Sequence, residues 1–190
     1  MKILIIRFSS IGDLTQALSI PSFIKTYHPS AEIHFVTRAD LSVLTENHPH
    51  IHKTWTLDRK AGFSGLIKLA RELNKQNFTH IYDAHNNLRS FFIRLFVKSN
   101  FTLVRPMMRL KRFLLIQFHV NLFEKPFSGQ MDLIKPLEKW GYKFQQPDAP
   151  QLFINPEVKK NAAAITSEKD YIVLAPSAAY ELKRWPLEYW

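Results

Sequence analysis

The feature of this sequence that most limits its fold is a regular alternation of strand-like runs with segments of helical periodicity. The strand-like runs are short, apolar or β-branched, and bounded by polar turns; they lie at residues 2–7, 33–37, 54–57, 79–83 and 101–104. Amphipathic segments fall between them, the clearest being residues 63–73, with a repeat of the pattern at residues 88–96. Strands that alternate with helices predict an α/β fold, in which a parallel sheet carries helices on both faces.

The apolar residues of the predicted helices define the faces expected to meet the sheet. In the first helix Pro21 predicts a kink or a restart, because proline removes an interior hydrogen bond. In the two later helices we expect the core-facing stripes to be Phe63, Leu66, Ile67, Ala70 and Leu73, and then Leu88, Phe91, Phe92, Leu95 and Phe96.

The second half of the chain predicts a domain boundary. Residues 146–156 (QPDAPQLFINP) contain three prolines and little charge, which is typical of a linker. We therefore expect a first domain at residues 1–145, a linker at 146–156, and a second region at 157–190 with a helix at 157–167 and a strand at 171–175. Because a lone parallel strand cannot bury both of its faces, we expect residues 157–190 to be the first unit of an incomplete second α/β domain.

Composition excludes several classes of protein. The chain has 190 residues, is 46% hydrophobic and contains no cysteine, which excludes a disordered chain, disulfide bonds and cysteine-based catalysis. Apolar runs such as Ile3–Ile6 and Phe113–Ile116 are far too short to cross a bilayer, and no secretory signal is recognisable. We therefore expect a cytoplasmic protein.

The positive charge is concentrated in one part of the chain. The net charge is +10, and residues 84–123 contain no carboxylate but seven basic residues: Arg89, Arg94, Lys98, Arg105, Arg109, Lys111 and Arg112. Such a field favours an anionic partner, whether nucleic acid, anionic lipid or a phosphorylated substrate. The alternative is an ordinary solvated surface.

Polar loops after two predicted strands carry the candidate chemistry. Ser9, Ser10 and Asp13 follow the first strand, at the edge of the sheet where open α/β folds bind ligands. Spacing alone favours Asp13 as a helix N-cap; the functional alternative is a general base kept ionised by the helix N-terminus. The loop DAHNNLRS at residues 83–90 contains polar side chains that can hydrogen-bond a sugar or a phosphate. The alternative is that these residues only form a turn, with Asn87 as a helix cap.

Three further segments give weaker signals. His48, His50 and His52 alternate around Pro49 without a nearby carboxylate cluster, so we expect no metal site. The stretch RPMMRLKR followed by FLLIQF places charges beside apolar residues, which suits an anionic lipid or glycolipid but also a helix with a solvated end. Lys183 precedes Pro186, a residue typical of a first helical turn, where a phosphate is readily held.

Four of these segments, in the same order, resemble those of the bacterial lipopolysaccharide heptosyltransferases, glycosyltransferase family 9. The opening KILIIRFSSIGDLTQALSIPSFI resembles the family's first motif, and YDAHNNLRS resembles its D-x-x-x-N-x-R-S segment. RLKRFLL is similar to its basic acceptor-side stretch, and LKRWPLEYW to its K-R-W-P motif. The resemblance covers nearly the full chain.

The resemblance implies a GT-B enzyme with a Rossmann-like acceptor-binding amino-terminal domain and a donor-binding carboxy-terminal domain. The family transfers heptose from ADP-heptose to the lipid A and inner-core region of lipopolysaccharide, with inversion and without a metal or another cofactor. By resemblance, Asp13 is the general base that deprotonates the acceptor hydroxyl. We expect a location at the inner face of the inner membrane, against its anionic surface.

The resemblance also implies roles for individual residues. Acceptor binding is expected of two groups: a cleft set of Arg7, Ser9, Ser10, His85 and Asn87, and a basic set of Arg59, Lys60, Arg109, Lys111 and Arg112. Lys183 is expected to neutralise the donor diphosphate. Residues 176–179 (PSAA) depart from the turn that the family tends to have after its donor-domain strand.

Two expectations remain beside these roles. We expect the 190-residue chain to be an amino-terminal portion that binds acceptor at most and does not transfer heptose alone. The alternative function is a basic nucleic-acid-binding module, although the placement of the phenylalanines on predicted core stripes disfavours an exposed stacking platform, and nucleic acid is not an expected partner. A membrane-surface scaffold without catalysis is a third possibility.

Overall fold

Five short parallel strands form the sheet of the computed structural model, which describes residues 1–143, 145, 152–165, 172–174, 178 and 180–189. The strands are β1 (Lys2–Ile6), β2 (Glu32–Arg38), β3 (Lys53–Leu57), β4 (His80–Asp83) and β5 (Phe101–Val104). Their spatial order is β3-β2-β1-β4-β5, and every neighbouring pair is parallel. The predicted parallel sheet is confirmed. Since β1 lies at its centre, the loop after β1 lies beside the loops that follow β2 and β4.

The two faces of the sheet build two separate cores. Along β1, Ile3 and Ile5 belong to one buried cluster, and Leu4 and Ile6 belong to the other. Successive side chains of a strand point to opposite faces, so a strand that is apolar at every position must be covered on both. The helices on both faces provide this cover, and each fully buried side chain of this size contributes about 1.5–3 kcal/mol relative to exposure.

Among its described residues, the first of two compact units, Met1–Ile154, has seven helices and two 3₁₀ turns beside the sheet. The helices are α1 (Ile11–Ala17), α2 (Ser19–Tyr27), α3 (Val43–Glu46), α4 (Gly62–Asn74), α5 (Leu88–Phe96), α6 (Arg109–Phe118) and α7 (Gly129–Ile134), and the 3₁₀ turns are Ala39–Leu41 and Lys135–Trp140. The restart predicted at Pro21 is confirmed: α1 and α2 are separated at Leu18, and Pro21 lies in the first turn of α2, where its missing N–H costs no helical bond.

The predicted core stripes of α4 and α5 are partly wrong. In α4, Phe63 is exposed and Leu69 is buried instead. In α5 the line that faces the core runs through Ser90, Ile93 and Val97 just beyond the helix, and most of the predicted stripe is exposed: Leu88, Phe91, Leu95 and Phe96. The sequence pattern is apolar on two sides of α5, so periodicity alone selects the wrong face. The phenylalanine argument against a nucleic-acid module therefore fails.

Helix α6 has no buried residue, although six of its ten side chains are apolar. Phe113, Ile116 and Phe118 are all more than half exposed. Its first turn carries Arg109 and Arg112, so one short helix presents both cations and apolar groups to the solvent. Among the described residues, no helix is both long enough and apolar enough to cross a bilayer.

The second compact unit, Asn155–Trp190, is described only in part. It contains α8 (Pro156–Ile165), which begins one residue before the helix predicted at 157–167; the last two residues of that prediction lie outside the described residues. It also contains the 3₁₀ turns Glu181–Lys183 and Leu187–Tyr189. The strand predicted at 171–175 is not found in its described part, residues 172–174. These three residues are strongly exposed and have no neighbouring strand among the described residues, so their apolar pattern lacks the pairing that a strand needs.

Candidate active site

The carboxyl ends of β1 and β4 bring the two predicted polar loops together. Ile6 is in register with Asp83, so the chain leaves both strands at the same level of the sheet. From the first loop, Nη1 of Arg7 donates a 2.7 Å hydrogen bond to the carbonyl oxygen of Ala84 in the second. The buried Arg7 side chain therefore ties the two loops to each other.

Asp13 faces this junction and is held by one of its two carboxylate oxygens. Oδ2 lies 2.8 Å from Nη2 of Arg7, and it also accepts hydrogen bonds from the Ser10 amide at 3.2 Å and the Ser10 hydroxyl at 3.0 Å. Oδ1 accepts no hydrogen bond from the described residues. The carboxylate is thus fixed by one oxygen while the other is left available.

The capping interpretation of Asp13 is corrected by this geometry. The N-cap of α1 is Ser10, and Asp13 is the third helical residue, whose side chain reaches back to the Ser10 amide. Spacing alone misplaced the cap because the helix begins at Ile11, three residues before the first buried position, Leu14. Asp13 therefore supports the helix start through one oxygen, as the third residue of a capping box does.

Electrostatics keeps both members of the pair charged. Burial opposes ionisation of Asp13, but the Ser10 amide and the Arg7 charge outweigh it and hold the pKa of this carboxyl below its ordinary value. Burial lowers the pKa of the Arg7 guanidinium, and the Asp13 charge opposes that effect. An arginine remains protonated under these conditions, so the site contains a carboxylate beside a buried cation at neutral pH.

The second loop is organised by the buried carboxylate of Asp83. Its Oδ1 accepts hydrogen bonds from the amides of His85 and Asn86 at 3.0 and 2.7 Å, and its Oδ2 lies 2.8 Å from Nε of Arg94 on α5. Asn86 adopts a left-handed backbone conformation with φ of 53°, which asparagine tolerates better than most residues. Asp83 therefore shapes the turn that presents His85.

His85 is a neutral imidazole at this site. Its ring packs edge-on against Phe8 with centroids 5.9 Å apart, and its buried Nδ1 has no hydrogen-bond partner among the described residues. Burial, together with the Arg7 charge, lowers the pKa of His85 to about 4. At neutral pH the ring offers one N–H donor and one acceptor and carries no charge.

Arg105, the residue after β5, completes the edge and was not predicted as a site residue. The Asn86 side chain donates a 2.7 Å hydrogen bond to the Arg105 carbonyl. The Arg105 guanidinium forms an ion pair with Asp132 of α7, with Nε 3.0 Å from Oδ2. The same rule that drew attention to the loops after β1 and β4 applies to the end of β5, so this residue was available to sequence reasoning.

These residues surround a cavity of about 250 Å³, here called the polar cavity. Its charged or polar lining consists of Arg7, Asp13, His85, Asn86, Arg105, Arg109 and Arg112; Pro106, Met107 and Met108 complete the wall. Five residues predicted for the site thus meet there: Arg7, Asp13, His85, Arg109 and Arg112. Four arginines against a single lining carboxylate give the cavity a positive field.

Other predicted site residues lie elsewhere. Ser9 and Ser10 belong to the loop before α1, beside Asp13. Arg59 lines a separate cavity of about 250 Å³ with Arg89 and Phe63, and the Lys60 amide donates to Oδ1 of Asp58.

Asn87, Lys111 and Lys183 also lie outside the polar cavity. Asn87 is the N-cap of α5, where its Oδ1 accepts from the Ser90 amide at 2.9 Å. Lys111 lines a third cavity. Lys183 ends a 3₁₀ turn of the second unit, and its Nζ lies 5.5 Å from the centre of the Tyr180 ring.

A histidine and carboxylate cluster lies at the opposite end of β2. Ligand-type atoms of Glu32, His34 and His52 lie within 4.8 Å of one another. However, Nε1 of Trp55 donates to Nδ1 of His34, which leaves the proton of the neutral ring on Nε2, 2.8 Å from Oε1 of Glu32. Lys2 Nζ lies 3.0 Å from the same oxygen. These side chains therefore form a hydrogen-bonded network in which the Lys2 ammonium group already contacts the Glu32 carboxylate.

Comparison with known proteins shows which family the chain resembles. A family model described as glycosyltransferase family 9 (heptosyltransferase) matches residues 66–190, the greater part of the chain. The chain is 31% identical over 105 residues to lipopolysaccharide heptosyltransferase 1 of Campylobacter coli, a match that covers 53% of this chain and 30% of that protein. It is 26% identical over 97 residues to lipopolysaccharide core heptosyltransferase OpsX of Haemophilus influenzae, covering 51% and 28%. The aligned part is less than a third of either relative.

Solved structures share the fold. A glycosyltransferase family 9 protein from Veillonella parvula matches 98% of this chain and 57% of its own with a TM-score of 0.75 at 22% identity. The E. coli heptosyltransferase WaaC, solved with ADP-2-deoxy-2-fluoro heptose, matches 100% of this chain and 63% of its own with a TM-score of 0.72 at 16% identity. These matches show the fold, and the family model, which matches the greater part of the chain, shows that the chain belongs to glycosyltransferase family 9, the heptosyltransferase family.

Proposed function

We propose that this chain binds the acceptor in the transfer of heptose from ADP-heptose to the inner core of lipopolysaccharide, with Asp13 as the general base. The observation that carries the proposal is the asymmetry of the Asp13 carboxylate. Oδ2 receives every contact from Arg7 and Ser10, whereas Oδ1 is free of described partners in a residue that lines the polar cavity.

The protonation state of Asp13 suits this role. Its pKa lies below the ordinary value, so the carboxylate is the form present at neutral pH. An acceptor hydroxyl becomes more acidic as its oxygen bonds to the anomeric carbon, and its proton then passes to Oδ1. The bond between that carbon and the diphosphate breaks from the opposite side, so that ADP leaves and the configuration inverts. No metal or other cofactor takes part in this scheme.

The cations around the polar cavity would recognise the acceptor. Arg109 and Arg112 are exposed at the start of α6, while Arg105 lies partly buried against Asp132. Guanidinium groups bind phosphates and carboxylates through paired hydrogen bonds. This arrangement supports an acceptor that carries such groups, as the lipid A and inner-core region does. Ser9, Ser10 and His85 would contact its sugar hydroxyls.

The basic residues outside the polar cavity would extend the contact. Arg59 and Lys60 follow β3, whose carboxyl end lies at the same edge of the sheet as that of β1, and Lys111 lies in the first turn of α6, next to Arg112 in the sequence. We assign these three to acceptor phosphates. Asn87 would contribute through the shape of the loop that it caps, and Lys183 would meet the donor diphosphate.

Exposed apolar side chains beside cations support attachment at a membrane surface. Helices α5 and α6 expose Phe91, Phe96, Phe113 and Ile116, in the neighbourhood of Arg89, Lys98 and Arg112. Cations favour an anionic leaflet, and apolar groups gain by entering its interface. We propose a peripheral position at the cytoplasmic face of the inner membrane.

Binding measurements separate this function from the nucleic-acid alternative. The chain is titrated with a deacylated, phosphorylated inner-core oligosaccharide and with a single-stranded oligonucleotide, each over a range of salt concentrations. We expect the oligosaccharide to bind and Arg112→Ala to weaken it about tenfold, because one charged hydrogen bond is lost. Lys68→Ala, an exposed cation on α4, is the matched control and should change affinity less than twofold. Tight oligonucleotide binding without oligosaccharide binding would overturn the proposal.

A further inference from the structure

The cavity lined by Lys111, about 500 Å³ in volume, lies next to the polar cavity and is here called the apolar cavity. The two cavities share Pro106 and Met108 in their linings. The segment between β5 and α6 is therefore a common wall, with the polar cavity on one side and the apolar cavity on the other.

The lining of the apolar cavity suits a hydrocarbon group. Beside Pro106 and Met108, its apolar side chains include Phe123, Phe127 and Met131. Cavities of this size, lined mainly by apolar and aromatic side chains with a few polar groups, are the usual form of sites for small apolar ligands. The cavity therefore has the volume and the chemistry to take an acyl chain.

Charge at the shared wall favours a ligand that also carries anionic groups. The lining of the apolar cavity is itself balanced, with three lysines (Lys111, Lys135 and Lys139) and three carboxylates (Glu124, Asp132 and Glu138). Because Asp132 is paired with Arg105 of the polar cavity, the two cavities taken together have a positive excess, which comes from the arginines of the polar cavity. A phosphate beside the shared wall would meet this excess.

The Arg105–Asp132 ion pair joins the two cavities. Arg105 lines the polar cavity and Asp132 lines the apolar one, and both side chains are largely buried. A ligand with a polar and an apolar part could therefore contact both cavities by passing over Pro106 and Met108. The shared wall therefore favours one ligand that contacts both cavities over two separate ligands, for which the cavities could lie anywhere.

We propose that the apolar cavity binds an acyl group of the same acceptor molecule whose hydroxyl is deprotonated at Asp13. This inference rests on the proposed function and makes it more specific: the acceptor is recognised as an amphiphile, through its sugars in one cavity and its hydrocarbon in the other. The exposed apolar side of α6, with Phe113 and Ile116, extends the surface available to that hydrocarbon.

The test compares two acceptors that differ only in acylation. One is an inner-core glycolipid with a single short acyl chain, used below its micelle-forming concentration, and the other is its deacylated form. We expect the chain to bind the acylated form at least about tenfold more tightly, the gain from burying a few methylene groups. In Phe127→Ser that preference should fall below about threefold, with the affinity for the deacylated form unchanged.

A matched variant and a second ligand make the test specific. Phe101 is exposed to nearly the same extent as Phe127, 56% against 58%, but lines neither cavity, so Phe101→Ser should keep the full preference. Met131→Gln should also lose the preference, so that the test does not depend on the folding of Phe127→Ser alone.

Equal binding of both acceptors by the unaltered chain would overturn the inference while leaving the proposed function intact. A free fatty acid that binds as tightly as the acylated acceptor would also overturn it, in favour of a separate lipid. Failure of the deacylated acceptor to bind at all would instead overturn the proposed function.

Discussion

Nη2 of Arg7 lies 2.8 Å from Oδ2 of Asp13, and this contact joins a buried arginine at the end of the central strand to the carboxylate of the polar cavity. The pair fixes the orientation of Asp13, keeps it ionised, and leaves its second oxygen for a ligand. Because Arg7 also binds the Ala84 carbonyl, it couples the base to the loop that contains His85.

Removing Arg7 should therefore change the acidity of Asp13. In Arg7→Met the pKa of Asp13 should rise towards its ordinary value, since burial remains while the favourable charge is lost. Carbon-detected NMR titration of the carboxyl groups measures this pKa directly. Arg38→Met is the matched control, because it breaks a 2.7 Å ion pair with Asp40 outside the polar cavity. An unchanged Asp13 titration in Arg7→Met would contradict the assigned pairing.

His48 should make stability depend on pH in the mildly acidic range. Its Nε2–H donates to the Leu18 carbonyl, and its Nδ1 accepts from the His50 amide, so both nitrogens are used by the neutral ring. Burial lowers the pKa of His48 to about 4. The unfolded chain therefore binds more protons between pH 6.5 and 4, and stability that is fully present above pH 6.5 is lost as the pH falls, by up to about 3 kcal/mol.

Thermal unfolding measured from pH 7.5 to 5 checks this expectation. His48→Gln, which keeps an amide donor and acceptor but does not titrate, should be less stable at pH 7.5 and show a flatter dependence on pH. If the stability of His48→Gln depends on pH as steeply as that of the unaltered chain, groups other than His48 cause the dependence.

Asn87 should stabilise the start of α5. Its Oδ1 accepts the Ser90 amide, and the Ser90 hydroxyl accepts from the Asn87 amide in return. Asn87→Ala should lower the free energy of unfolding by about 1 kcal/mol, whereas Asn87→Ser should restore most of it. Denaturant unfolding distinguishes the three proteins. If the serine variant is as unstable as the alanine variant, capping is not what this side chain contributes.

Arg105 and Asp132 should be energetically coupled across the wall between the two cavities. Both side chains are less than a fifth exposed, so solvent screens the pair only weakly. A double-mutant cycle with Arg105→Gln and Asp132→Asn should give a coupling energy on the order of 1–2 kcal/mol in unfolding experiments. Additive effects of the two substitutions would show that the pair does not hold α7 to the end of β5.

The sheet could be predicted from the sequence because its strands are short, apolar and regularly separated. Ile3 and Leu4 are neighbours that point to opposite faces of β1, and both are apolar. A strand with this pattern is expected at the buried centre of a sheet. The helix faces were harder. Helix α5 is apolar on two sides, and only its packing through Ile93 and Val97 decides that Phe91 and Leu95 face the solvent.

The polar cavity could be predicted only in part. Arg7, Asp13 and His85 follow two neighbouring strands, and the rule for parallel sheets brings their loops together. Asn86 was not singled out within its loop because its role depends on a contact across elements: its side chain donates to the carbonyl of a residue 19 positions later. Arg105 was missed because the same rule was not applied to the end of β5. The boundary of α1 was missed because Ile11, the one apolar residue of α1 before Leu14, is exposed and does not belong to the buried stripe.

The most direct test of the account is the transfer rate of Asp13→Asn, measured in a polypeptide that covers the full length of the family's curated members. The asparagine keeps an oxygen that accepts the Ser10 amide, so its thermal stability should stay close to that of the unaltered protein. We predict that kcat falls about 10²–10⁴-fold while the affinity for the acceptor changes only a few-fold, because the lost group accepts the proton and does not hold the sugar. Transfer at close to the original rate would contradict Asp13 as the general base.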